Sequence, residues 1–114
     1  MIIYVDIDQT ICDGDKSDGY SYEKSIPIPE NIAKVNALYD AGHVIVYWTA
    51  RGSKTGLDWT HVTERQLKEW GVKYHQLKMG KPYYDIILDD KAFKIEEIEH
   101  VIHSRDGKQP CRRY

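Results

Sequence analysis

Residues Ile2 to Thr10 read IIYVDIDQT, an apolar run that ends in two carboxylates one residue apart, with a hydroxyl two positions later. Ile2, Ile3, Tyr4 and Val5 are β-branched or aromatic, which suits a central strand covered on both faces. Such a strand would deliver Asp6 and Asp8 to its carboxyl end. Side chains two apart along an extended chain point the same way, so Asp6, Asp8 and Thr10 would then address one spot. Two like charges that close repel unless a cation lies between them. Taken alone, the pair fits equally a capping Asp followed by a turn Asp, a common sequel to a strand.

Working outward, the 114 residues suffice for one domain with a sheet of about five strands and helices packed on it. Hydrophobic residues make up 41% and charged residues 30%, a globular balance. A net charge of −2 leaves no basic footprint for nucleic acid or an anionic membrane. No apolar run approaches the roughly 20 residues of a membrane span, and Met1 leads straight into a strand, so a cytoplasmic protein is expected. Cys12 and Cys111 lack metal-ligand spacing and read as free thiols in a reducing compartment.

Residues 12–24 are polar and glycine-bearing, a loop or short two-stranded flap over the end of the first strand. Pro27 and Pro29 mark entry to a helix with Ile32, Val35, Leu38 and Tyr39 as its buried stripe, ended by Gly42. His43 to Trp48, HVIVYW, is a second apolar strand that finishes in Thr49, Ala50, Arg51 and Gly52. Asp58 is placed to cap a further helix with Trp59, Val62, Leu67 and Trp70 on one side. Val72 to Leu77 reads as a third strand, polar enough for a sheet edge, and Tyr84 to Leu88 as a fourth that ends in Asp89 and Asp90. Phe93, Ile95, Ile98 and Ile102 supply a last helix. The alternation implies an α/β fold, a doubly wound parallel sheet with right-handed crossovers, over 1–103; residues 104–114 read as a polar, basic, mobile tail.

In an open parallel sheet the carboxyl ends of the strands share one crevice, so Asp6 and Asp8, Thr49, and Asp89 with Asp90 can converge there, joined by Lys81 from a neighbouring loop. Several carboxylates in one place call for a hard cation with oxygen ligands, Mg²⁺ above all, while a hydroxyl and an ammonium suit the remaining charge of a phosphoryl group. Arg51 either reaches substrate or pairs with a carboxylate on the rim.

These residues resemble, motif by motif, the haloacid dehalogenase (HAD) superfamily of phosphatases. A hydrophobic strand followed by DxDxT is Asp6, Ile7, Asp8, Gln9 and Thr10; a hydrophobic strand ending in Thr is VIVYWT with Thr49; the lone Lys is Lys81; the strand ending in an acidic pair is IILDD with Asp89 and Asp90. The likeness runs in the family's order from Ile2 to about Ile102. It implies a three-layer Rossmann-like domain, Asp6 as nucleophile forming an aspartyl-phosphate, and Asp8 as general acid and base. It further implies Mg²⁺ bridging Asp6, the backbone carbonyl of Asp8 and Asp89, with Asp90 direct or through water. Thr49 and Lys81 would hold the phosphoryl oxygens, backbone N–H groups near Asp8 and Gln9 would add donors, and Arg51 is a further candidate for phosphate contact.

The intervals 9–28 and 50–80 are too short for the cap domain that members of this family usually carry. A capless member is expected, its site open or covered by a neighbouring copy, acting on a small phosphomonoester such as a sugar phosphate. Two other classes use similar parts. A phosphorylatable receiver domain combines an acid cluster with Thr and Lys-Pro, although it puts the acidic pair first; a metal-dependent nuclease clusters carboxylates, although it wants a basic groove.

Overall fold

The computed structural model describes residues 1–14 and 21–100, which form a small α/β structure. The chain divides into two compact units, Met1–Tyr84 and Asp85–Tyr114.

In the first unit, β1 (Ile2–Val5), β4 (Val44–Trp48) and β5 (Gln76–Lys78) make a three-stranded parallel sheet in the order β1-β4-β5. The register sets Ile2 beside Val44 and Val5 beside Tyr47, then Val46 beside Gln76 and Trp48 beside Lys78. β4 is therefore the central strand, and Ile45, Val46 and Tyr47 are buried. Among the described residues β1 pairs with β4 alone, exposes Ile2 and Tyr4 and buries Val5, which departs from the expectation of a strand covered on both faces. An apolar run signals strand propensity, but which strand lies in the middle is settled by pairing, which the run itself does not encode.

β2 (Cys12–Asp13) and β3 (Ile26–Pro27) pair antiparallel, the two-stranded flap expected after the first strand. Residues 15–20, which include Tyr20, lie outside the described residues, as do Ile102 and the tail 104–114. α1 (Pro29–Asp40) opens with proline at its first turn, where a missing N–H costs nothing, and buries Ile32 and Val35. Gly42, at φ 98°, reverses the chain into β4. α2 (Thr60–Glu69) begins one residue later than expected; Trp59 occupies the capping position, yet Asp58 Oδ1 still accepts the Thr60 N–H at 2.9 Å.

The third strand starts at Gln76, not Val72. Residues 72–75 are held by other bonds: Val72 N–H donates to Leu67 O, Lys73 N–H to Asn36 Oδ1, and Ile45 N–H to His75 Nδ1. His75, stacked on Tyr39 with centroids 4.7 Å apart, is thus a structural histidine.

In the second unit the expected strand Tyr84–Leu88 does not form among the described residues. Ile86, Ile87 and Leu88 are exposed, and no described residue from 85 to 100 is buried. A 3₁₀ turn covers Ile95–Glu97, where Lys94 N–H donates to Glu97 Oε1, and residues 98–100 are helical. No helix of the described residues is long and apolar enough to cross a membrane.

Candidate active site

β1 ends at Val5, and the chain then curls tightly. Thr10 N–H and Ile11 N–H both donate to Ile7 O, Gln9 N–H donates to Cys12 O, and Gln9 takes the left-handed φ of 67°. A glutamine there is held against its backbone preference by these bonds and by Asn31 Nδ2, which donates to Thr10 O at 2.8 Å. Ile7, Ile11 and Cys12 pack inward, which fixes the position of Asp6 and Asp8 on the other side of the turn.

Asp6, Asp8, Gln9, Gly14, Tyr22, Ala50 and Arg51 line one cleft of about 520 Å³. Lys81 joins it, its Nζ 3.7 Å from Asp6 Oδ1. That ammonium also lies 5.7 Å from the Trp48 ring centroid and 5.5 Å from that of Tyr84, so aromatic faces help to fix a side chain that is largely buried. Burial pushes the Asp6 carboxyl above the ordinary aspartate range; the charge of Lys81 and a hydrogen bond from the Ile7 backbone oppose that push, and the charge of Asp8 adds to it.

Thr49 is buried beside them at the end of β4. Its carbonyl accepts the Lys81 N–H at 3.0 Å and its Oγ1 accepts the Arg51 N–H at 3.1 Å. Residues at the ends of β1 and β4 and in the loop after β5 are thus brought together as the parallel-sheet reading required. Asp89 and Asp90 belong to the second unit, where both are exposed. Asp89 Oδ1 accepts the Lys91 N–H at 2.9 Å, and that bond, with one to Asp90, holds its carboxyl below the usual range. Among the described residues no three His, Cys, Asp or Glu side chains are grouped as a metal cage.

Of the two readings of Arg51, the structure shows the ion pair. Its Nε donates to Asp8 Oδ2 at 3.0 Å and its Nη2 to Asp8 Oδ1 at 2.9 Å, the two-pronged geometry that a planar guanidinium forms with a carboxylate. The Arg51 side chain has no solvent exposure. Its Nη1 is taken up by Thr63 Oγ1 at 3.1 Å and Gln66 Oε1 at 2.6 Å, and its guanidinium carbon lies 4.8 Å from the Tyr22 ring centroid. Gln66 in turn donates to Tyr22 O at 2.6 Å, and the Tyr22 ring meets Trp59 edge-on. Thr63 and Gln66 were not singled out from sequence. The available signal was two hydrogen-bonding residues on α2 set among Val62, Leu67 and Trp70, where an apolar stripe alone was expected. The Cys12 thiol, buried and close to Asp8, is pushed up to about 12.

No family model matches this chain, and no curated protein matches it. A solved structure does: the crystal structure of an MCSG target from Vibrio cholerae superposes with a TM-score of 0.77 at 20% identity, covering 95% of this chain and 98% of that one. The likeness is one of fold. It extends the α/β arrangement to a second sequence.

Proposed function

We propose that this chain is a Mg²⁺-dependent phosphomonoester hydrolase of the haloacid dehalogenase kind, capless, cytoplasmic and acting on a small phosphorylated metabolite such as a sugar phosphate. The observation that carries this reading is Lys81 Nζ at 3.7 Å from Asp6 Oδ1, with Thr49 tied to Lys81 through the backbone. A carboxylate nucleophile, an ammonium and a hydroxyl from three separate segments meet at the carboxyl end of a parallel sheet. What supports the finer fold reading is that order of strands and the neighbour of similar fold.

Asp6 attacks phosphorus in line; the new bond runs from its carboxylate oxygen to phosphorus, the bond to the alcohol oxygen breaks, and Asp8 gives that oxygen a proton. Water then attacks phosphorus and gives a proton to Asp8, the bond from phosphorus to the Asp6 oxygen breaks, and inorganic phosphate leaves with the Asp6 carboxylate regenerated. Arg51 positions Asp8 throughout. Lys81 neutralises charge on the transferring oxygens. Asp6 and the Asp8 carbonyl offer the hard oxygen donors that Mg²⁺ accepts together with water and phosphate oxygens, and Asp89 with Asp90 would complete the set. When bound, the ion supplies charge neutralisation and keeps Asp6 ionised.

The test is release of inorganic phosphate from 4-nitrophenyl phosphate with and without Mg²⁺. Multiple Mg²⁺-dependent turnovers are expected. A single stable phosphorylation would instead identify a receiver, and cleavage of a nucleic acid strand without phosphate release a nuclease.

A further inference from the structure

Gln66, only 4% exposed, and the fully buried Thr63 stand three residues apart on one face of α2. A buried amide needs partners at both its ends, and Arg51 settles which end goes where. A guanidinium only donates, so Arg51 Nη1 meets Gln66 Oε1 at 2.6 Å, and the amide nitrogen is turned to the Tyr22 carbonyl, again at 2.6 Å. That carbonyl also accepts the Ser25 N–H at 3.1 Å, which closes the 3₁₀ turn Tyr22–Lys24 in the flap. One side chain thus bonds both the guanidinium and the segment that carries Tyr22.

The two ends of this bridge bear on the same cleft. At one end the guanidinium is planar, and its Nε and Nη2 prongs to Asp8 lie in the plane that contains Nη1. Fixing Nη1 therefore fixes the direction in which the carboxylate is held. At the other end Tyr22 lines the cleft together with Asp8, its ring 4.8 Å from the Arg51 guanidinium carbon and edge-on to Trp59 at 5.0 Å. Ser25 Oγ, 3.5 Å from Arg51 Nη2, is a second tie between flap and guanidinium.

We propose that Gln66 is a positioning residue for proton transfer: it couples the seating of the flap at Tyr22 to the aim of the Asp8 carboxylate. Withdrawal of the flap takes the acceptor from the Gln66 amide nitrogen and the ring from beside Arg51 together. A buried donor left unmatched is costly, so Gln66 turns towards another partner and the guanidinium and Asp8 turn with it. An ester whose alcohol portion packs on Tyr22 thereby completes its own acid, and one that leaves the flap displaced is bound but poorly protonated. This inference rests on the phosphatase reading for the proton transfer, but not for the link between the flap and Asp8.

Phenyl phosphate and 4-nitrophenyl phosphate separate this role from a merely structural one. Their rings are alike, and the phenyl ester depends far more on a proton for its oxygen to leave. With Mg²⁺, Gln66→Met is expected to lower kcat/KM about tenfold or more for phenyl phosphate and less than about threefold for 4-nitrophenyl phosphate, part of the roughly 10²–10⁴-fold that a placed acid supplies. Equal losses on the two esters, or no loss on either, would overturn the proposal. Gln66→Glu keeps an acceptor for Arg51 and loses the donor to Tyr22, so it carries the same comparison if the Met variant does not fold.

Backbone hydrogen exchange at Lys24 and Ser25, whose N–H groups bond Ser21 O and Tyr22 O, reads the link without turnover. Coupling is reciprocal, so Asp8→Asn, which sets an amide nitrogen against one Arg51 prong, is expected to quicken exchange at both positions relative to the amides of α1. Unchanged exchange there would reject the coupling whatever the Gln66 variants do. Wild-type protein that releases no phosphate from either ester, with exchange quickened in Asp8→Asn, would reject the phosphatase reading and leave the coupling standing.

Discussion

Arg51 grips Asp8 through both carboxylate oxygens, at 3.0 and 2.9 Å, while its remaining nitrogen is held by Thr63 and Gln66 on α2. One buried cation thereby links the turn after β1, the end of β4 and a helix face. The acid assigned to proton transfer is oriented from beneath by a group that does not itself titrate near neutrality.

Arg51→Met removes that link and strands Asp8, Thr63 and Gln66 without their donor. Breaking one side of a buried pair costs about 3–5 kcal/mol, and the lower end applies here because Asp8 keeps some solvent contact. Urea denaturation should show a loss of about 3 kcal/mol. Arg51→Lys, which keeps the charge and loses the fork, should fall between, and equal stability of all three proteins would remove Arg51 from this role.

Asp6 carries a raised pKa, so over the pH range between its unfolded and folded values the folded state binds more protons. Its contribution is therefore full below the unfolded value and is lost as pH rises through the folded one. Asp6→Asn should melt above wild type at pH 7 without metal, and the difference should shrink as the pH is lowered towards 4. Mg²⁺ should raise the melting temperature of wild type more than that of Asp6→Asn. The opposite order at pH 7 would show that burial does not penalise the ionised carboxyl.

Gly52 sits at φ 83°, and a Cβ built on it would overlap the Leu57 carbonyl oxygen. Gly52→Ala therefore combines backbone strain with a clash against main chain that cannot swing aside, and should cost more than about 1 kcal/mol. Because the same loop follows Arg51, the variant should lose phosphatase activity as well as stability. Chemical denaturation and turnover measured together check both.

Tyr47, fully buried at the centre of the sheet, has a hydroxyl with no hydrogen-bond partner among the described residues. Leaving a buried hydroxyl unmatched costs about 1–3 kcal/mol, so Tyr47→Phe should be neutral or stabilising by up to that amount. A destabilisation of similar size, seen in urea, would reveal a partner for the oxygen.

Much of the site is legible in the sequence because it lies where strands stop. Asp6, Asp8 and Thr49 follow apolar runs, Lys81 stands between glycine and proline, and those cues survive without knowledge of pairing. The partners of Arg51 are hidden for the opposite reason. A helix face reads as apolar or polar by periodicity, and Thr63 and Gln66 are polar residues whose burial depends on a guanidinium arriving from another element. The run Ile86 to Leu88 has every local mark of a strand, yet strand formation needs an edge to pair with, and the sequence does not say where that edge is. For the same reason β1 reads as central although among the described residues it has a single neighbour.

The identity of the nucleophile is the centre of this account. Wild-type protein mixed with a ³²P-labelled phosphomonoester and Mg²⁺, quenched in acid within the first turnover and digested, should carry the label on the peptide containing Asp6, with none in Asp6→Asn. Label on Asp89 or Asp90, or steady phosphate release from Asp6→Asn at the wild-type rate, would contradict it.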